Sequence, residues 1–267
     1  MCAQSLETTF RLGDSLCIAG DYSSAYPLLK RVLFFDNEQR FTSEAAGDVA
    51  VCLEQESRYK EAARYYEMAR FNEKDSVARA QIILKKFKCE YETENFLQAM
   101  IDLLAISDKM PDSILRKRNL FLGATFLRMN EAESAASYFI TLTDTSKKEN
   151  VNEINFLAKK YQRIQSSRSG YVFFLSLLVP GSGQLCAGDV KNAVNSMAIN
   201  GALAYLFLYT AKKLTVFDAF LSVFPWFQRY YLGGAYKALQ IMTDKKERKK
   251  TRIFNKILLL TESNLKK

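Results

Sequence analysis

One alanine recurs through the first half of the chain. Aligning GDYSSAYPLLKRV, SRYKEAARYYEMA, ENFLQAMIDLLAI and NEAESAASYFITL brings Ala25, Ala62, Ala99 and Ala135 into a common register, at intervals of 37, 37 and 36 residues. A fixed period of this size marks one supersecondary unit copied along the chain, each copy burying its apolar face against the next. Three positions before each alanine stand Tyr22, Tyr59, Phe96 and Ala132, and four positions after it Leu29, Tyr66, Leu103 and Phe139. Further upstream, Gly13, Ala50, Phe87 and Gly123 share another position. Small residues at fixed points let two helices approach, and bulky residues at helical spacing fill the space between them. Four prolines and eleven glycines in 267 residues are too few for a chain of many tight turns, so the units read as helix pairs.

The pattern resembles the tetratricopeptide repeat. Gly13, Leu16, Gly20, Tyr22, Ala25, Leu29 and Val32 give the fullest match, Pro111 stands at the usual closing position of the third unit, and the resemblance covers roughly residues 8 to 145. The intervals exceed the usual period of about 34 residues, which predicts slightly long inter-repeat loops. The resemblance implies a solenoid of stacked helix pairs whose concave face holds a peptide or protein partner. The same small and aromatic residues would form the core of any helical-hairpin array, including one that only spaces other parts. After Asp144 the chain is polar, then periodic around Ile154, Leu157, Tyr161 and Ile164, then rich in Ser and Gly. This predicts a capping helix and a short hinge, closing a repeat domain over residues 1–168.

The net charge of +9 lies entirely in the C-terminal region: residues 1–169 hold 24 basic and 24 acidic side chains, and the remainder 14 − 5 = +9. The same region is the most apolar. No charge occurs from Ser169 to Gly188 or from Asn192 to Ala211, each run being about the 20 residues that cross a bilayer core as helix. Basic residues flanking apolar runs suit a membrane better than a nucleic acid. A third run, LTVFDAFLSVFPWFQRYYLGGAY, carries Asp218, Pro225 and Arg229 and suits an interface for part of its length. The fold expected is all-α, with a helical solenoid followed by a membrane hairpin or three-helix membrane domain over 169–240. A buried helical hairpin domain in water is the alternative.

Within the first run, Pro180, Gly181 and Gly183 predict a break in the helix. Gly183 to Gly188 has the spacing of a phosphate loop, but Asp189 and Val190 stand where Lys and Ser or Thr are needed, and nucleotide binding is excluded. PGSGQLCAGD, the NAVNSMAINGALAY helix and RYYLGGAYKA together resemble the bacterial TM2-like membrane module with a Pro-Gly-x-Gly-Gln-x-Tyr-x-Gly signature, found at the C-terminal end of some exported tetratricopeptide proteins. Pro180, Gly181, Gly183, Gln184 and Gly188 match it, and Cys186 replaces the tyrosine. The module brings no activity with it. Residues 241–267 then form a basic amphipathic tail in which Lys245, Lys246, Arg248, Lys249, Lys250 and Arg252 face lipid headgroups.

Catalytic chemistry finds little foothold. There is no histidine, which removes Ser-His-Asp and Cys-His catalysis and His metal sites. The five cysteines, Cys2, Cys17, Cys52, Cys89 and Cys186, form no Cys-x-x-Cys pair, and three of them read as small core hydrophobes. Glu54, Glu56, Glu90, Glu92 and Glu94 read as solvated. No cofactor, metal, nucleic acid or small-molecule substrate is expected. MCAQSLE has neither a charged start nor an apolar core, yet Cys-Ala-Gln resembles the end of a signal sequence. The repeats would face the periplasm if an export segment has been trimmed, and otherwise the cytoplasm. The expectation is a non-enzymatic repeat scaffold that recruits a protein partner at a bacterial inner membrane. The alternative is a small transport or membrane-insertion factor using the broken helix around Gly183 with Gln184, Asn195 and Asn200.

Overall fold

A computed structural model describes residues 5–143 and 148–262. Among them all regular secondary structure is helical. The elements are α1 (Leu6–Ile18), α2 (Tyr22–Phe35), α3 (Thr42–Gln55), α4 (Tyr59–Asn72), α5 (Ser76–Glu92), α6 (Phe96–Leu104), α7 (Asp112–Arg128), α8 (Ala132–Thr141), α9 (Lys148–Ser166), α10 (Tyr171–Leu178), α11 (Ser182–Cys186), α12 (Val190–Lys213), α13 (Val216–Ser222) and α14 (Phe224–Glu262). They divide into two compact units, Met1–Ala158 with Leu260–Lys267, and Lys159–Leu259. Residues 241–262 belong to α14, and residues 263–267 of the expected tail lie outside the described residues.

In the first unit, consecutive helices pack as hairpins, α1 on α2, α3 on α4, α5 on α6 and α7 on α8. Ala25, Ala62, Ala99 and Ala135 are all fully buried. The upstream position faces the bulky one sixteen residues later: a Cβ on Gly13 would stand 2.9 Å from the Leu29 side chain, and one on Gly123 2.6 Å from the Phe139 ring. Ala50 and Tyr66 are buried together in one apolar cluster, Phe87 and Leu103 in another. Tyr22, Tyr59 and Phe96, half-buried, open α2, α4 and α6.

The turn inside each hairpin repeats as well. Gly20, Ser57, Glu94 and Asn130 have φ of 83, 59, 57 and 69°. In every case the next amide donates to a carbonyl five residues back, Asp21 to Leu16, Arg58 to Leu53, Asn95 to Glu90 and Glu131 to Phe126, at 2.9 Å throughout. That six-to-one bond with a left-handed residue before it closes a helix by satisfying one of its orphan carbonyls. It fixes a three-residue connection, so the long period falls between hairpins, as at Asp36–Phe41 and Ala105–Pro111.

In the second unit the first charge-free run is divided. α10 ends at Leu178 ahead of Pro180, Gly181 takes φ 91°, and α11 restarts at Ser182. α12 is 24 residues long, but Asn192, Asn195, Ser196 and Asn200 interrupt its apolar residues. Among the described residues no helix is long and apolar enough to cross a membrane. α14 runs unbroken for 39 residues, with Pro225 in its first turn, where a missing amide costs nothing.

Candidate functional site

The glycine turn organises the second unit by close approach. A Cβ on Gly183 would lie 2.0 Å from the Val172 carbonyl oxygen, 2.3 Å from Ser176 Oγ and 3.0 Å from Ala238 Cβ, so only glycine lets α11 settle against α10 and α14. Gly181 needs its glycine twice over, for its positive φ and because a Cβ would meet the Ala193 carbonyl oxygen at 2.5 Å. Gly188, at φ 81°, turns the chain into α12, whose first amides are capped by the Asp189 carboxylate at Asn192 N, 3.0 Å away.

These approaches enclose a polar chain. The Gly183 amide donates to Ser176 Oγ (3.1 Å), Ser176 Oγ donates to Gln184 Oε1 (3.1 Å), and Gln184 Nε2 donates to the Gly234 carbonyl (2.7 Å). Ser176 and Gln184 are each 1% exposed. Gln184 thereby ties the turn to α14, fifty residues away. The Tyr231 hydroxyl adds a bond to the Leu177 carbonyl at the end of α10. Beside this chain, Asn192, Asn195, Ser196, Asn200, Arg229 and Lys237 line a crevice of about 390 Å³ between α12 and α14.

The outside of the unit has the opposite character. Phe174, Leu178, Val194, Tyr205, Leu208, Phe217, Leu221 and Trp226 are each more than half exposed. The interior is packed by Val172 and by small residues such as Ala187, Ala193, Ala235 and Ala238, with Ser176, Gln184 and Asn200 buried among them, while many large apolar side chains stand outside, where water does not favour them.

The second half of α14 has two faces. Lys250 is 6% exposed, paired with Glu247 at 2.8 Å and 5.6 Å from the Tyr161 ring centre. Lys246 donates to the Gln165 and Ser167 carbonyls at 2.7 and 2.9 Å, at the end of α9. These two, with the buried Ile253 and Ile257, form the inward face, so the expectation that both lysines meet lipid headgroups is corrected: their charge is engaged within the unit. Lys245, Arg248, Lys249 and Arg252, at intervals of three, one and three, form the other face and line a groove of about 690 Å³ with Lys191.

In the first unit the acidic residues are not uniformly solvated, as the sequence alone suggests. Glu90 is 3% exposed, because α5 turns it toward Lys86, which is also held by Asp102 at 2.5 Å and Glu67 at 2.8 Å. Glu90 Oε1 lies 3.0 Å from the Lys86 ammonium but without hydrogen-bond geometry. Burial pushes the Glu90 carboxyl up to about 7, although Lys86 draws it down. Burial opposes the Lys86 charge, but Asp102, Glu67 and Glu90 outweigh it and hold the ammonium above its ordinary range. Glu67, bonded to Arg70 and Lys86, is held down at about 2. Glu54 is also engaged, accepting from Tyr66 Oη and Lys88 Nζ. Lys86 and Glu90 stand four residues apart on α5, a spacing the sequence shows, but Asp102 and Glu67 join them only once α6 and α4 pack on that helix.

Cys17, Cys52 and Cys89 lie buried in the first apolar cluster, where burial raises each thiol, Cys52 and Cys89 to about 12. Cys186 is exposed, and Cys2 lies outside the described residues. Among the described residues no group of cysteines and carboxylates is placed to hold a metal ion. No family model matches the chain, and neither a curated protein nor a solved structure matches it.

Proposed function

We propose that the chain is a non-enzymatic scaffold, seated in a membrane by its second unit and holding a protein or peptide partner on its helical repeats. The carrying observation is the exterior of the second unit, where large apolar side chains stand exposed while Ser176, Gln184 and Asn200 are buried among small apolar residues. In a bilayer that exterior faces hydrocarbon, and the bonds of Ser176 and Gln184 satisfy groups that lipid cannot. The seating belongs to a packed helical cluster rather than to one spanning helix. The resemblance to the tetratricopeptide repeat and to the glycine-signature module supports a bacterial envelope as the setting. For the partner, support comes from apolar side chains left exposed on the repeats. Leu97, Ile101 and Leu104 form one stripe on α6, and Phe34 and Phe71 occupy equivalent positions 71 − 34 = 37 residues apart.

The test is flotation of the full chain, transferred from mild detergent into vesicles of neutral phosphatidylcholine, followed by an alkaline carbonate wash. Retention through the wash is expected. A chain that stays monomeric in the supernatant without detergent would end the membrane reading. A second reading, a transport or membrane-insertion factor, is favoured by the crevice of asparagines with Arg229 and Lys237. Crosslinking in native membranes separates the two: one stoichiometric protein bound through the repeats supports recruitment, and crosslinks confined to the crevice support the factor.

A further inference from the structure

Cations in the two units keep different company. In the first, Arg11, Arg58, Arg70, Lys86, Arg116 and Arg118 each pair with a carboxylate within 3 Å. In the second, Lys191, Arg248, Lys249 and Arg252 have no ion pair among the described residues, yet all four line the same groove with Lys245. Only Asp189 and Asp244 oppose five positive charges there. Asp189 is already committed, its carboxylate held below its ordinary range first by the Asn192 amide and side chain. Lys245 Nζ donates to the Ala187 carbonyl at 3.1 Å, which anchors the basic face to the turn before α12. Gathering unpaired cations against one another is unfavourable unless an anion from outside joins them.

We propose that this groove binds the phosphate of an anionic phospholipid headgroup. The assignment rests on the seating of the second unit in lipid, and it names which lipid that seating selects. Phosphate is the chemistry that suits a row of guanidinium and ammonium groups, Arg248 and Arg252 offering planar forks and Lys249 and Lys191 point charges. Lipid is favoured as its source because the exposed Val190 lines the groove itself and the exposed Val194 follows one turn along α12, where acyl chains would lie. A single-stranded nucleic acid would need aromatic platforms for its bases, and the groove lining contains no aromatic residue. The helices also place the groove correctly. Gly234 of α14 approaches Ser196 of α12 while Lys245 approaches Gly188, so the two run antiparallel, and the groove lies at one end of their apolar stretches, where headgroups sit.

The experiment titrates the full chain, held in neutral detergent, with dihexanoyl phosphatidylglycerol, with inorganic phosphate and with a short single-stranded oligonucleotide. It compares the parent with R248Q/K249Q/R252Q and with the control K212Q/K213Q, whose charges lie outside the groove. Circular dichroism confirms that the helix content of each variant is unchanged. The parent and the control should bind the lipid alike. The triple variant should bind it roughly 100-fold more weakly, at about fivefold for each cation near an anionic headgroup. Equal binding by parent and triple variant, or an equal loss in the control, overturns the proposal. Inorganic phosphate binding as tightly as the lipid overturns the lipid assignment in favour of free phosphate, and tighter binding of the oligonucleotide reassigns the groove to nucleic acid. Flotation on neutral vesicles reads the seating separately, so a chain that floats but shows no lipid selectivity loses only this inference.

Discussion

Four residues at equivalent places in the repeats adopt the left-handed conformation, and only the first is glycine. An L residue there costs roughly 1 to 2 kcal/mol, because its Cβ crowds the following carbonyl. Ser57 is exposed, so Ser57→Gly should stabilise the repeats by about 1 kcal/mol, seen as a higher thermal midpoint; an unchanged or lower midpoint would mean that the turn is held by other contacts. The glycines of the second unit divide by their surroundings. Gly183→Ala should destabilise that unit by about 1 to 3 kcal/mol, since a methyl has no room beside Val172 and Ser176, whereas Gly201→Ala, with nothing within 4 Å of its Cβ, should stabilise α12 by up to about 1 kcal/mol. Thermal aggregation in detergent compares them, and equal behaviour would remove the packing role of Gly183. The pairing of Gly13 with Leu29 was legible because repetition aligns both. The left-handed turns were not, since Ser57 and Glu94 carry no local sign of a conformation that the six-to-one bond imposes on them.

Where α3 faces α1, Asp48 is half-buried, and where α5 meets α4 and α6, Glu90 and Asp102 are buried around the one ammonium of Lys86. Burial, and then the neighbouring Asp14, push the Asp48 carboxyl up to about 6, with Lys85 acting against them and Glu44 adding slightly. Glu90 rises to about 7. Both folded values exceed the unfolded ones, so the folded repeats hold protons that the unfolded chain releases, and these two groups favour folding less as pH rises toward 7. Glu67 acts oppositely: depressed to about 2, it stabilises above its unfolded value near 4.5 and loses this as pH falls further. The thermal midpoint of the repeats should therefore rise from pH 8 to about pH 5 and fall below about pH 4. D48N and E90Q should flatten the upper limb, and a parent whose midpoint is level across that limb would contradict both assignments. The repeat helices were readable from periodicity, and the break between α10 and α11 from Pro180, but the continuity of α14 across residue 240 was not. The inward turn of Lys246 and Lys250 was not, because a basic run reads as one solvated face until the partners of the helix, the end of α9 and the Tyr161 ring, are known.

The balance of charge changes after Ser169, whereas the contacts divide between Ala158 and Lys159. Residues 1–169 balance their charges and pair many of them, so a fragment ending at Arg168 should be strongly helical and remain in solution without detergent, while the remainder should require it. Sedimentation and circular dichroism of the two pieces would check this, and an aggregated or disordered repeat fragment would count against the solenoid. The balance of charge was visible in the sequence, whereas the polar bonds buried in the second unit were not, since Gln184 and Gly234 are separated by fifty residues and meet only when α11 and α14 pack. α14 also keeps phase. A continuous helix turns about 100° per residue, so the position that Gln184 grips at Gly234 fixes the azimuth of the basic face beyond Lys245. One residue inserted between them would swing the cations out of their groove while leaving every side chain present, and seven would bring them nearly back around. The spacing along that rod is thus a conserved quantity of the fold in the mechanical sense, a phase that changes in length respect only in near-whole turns.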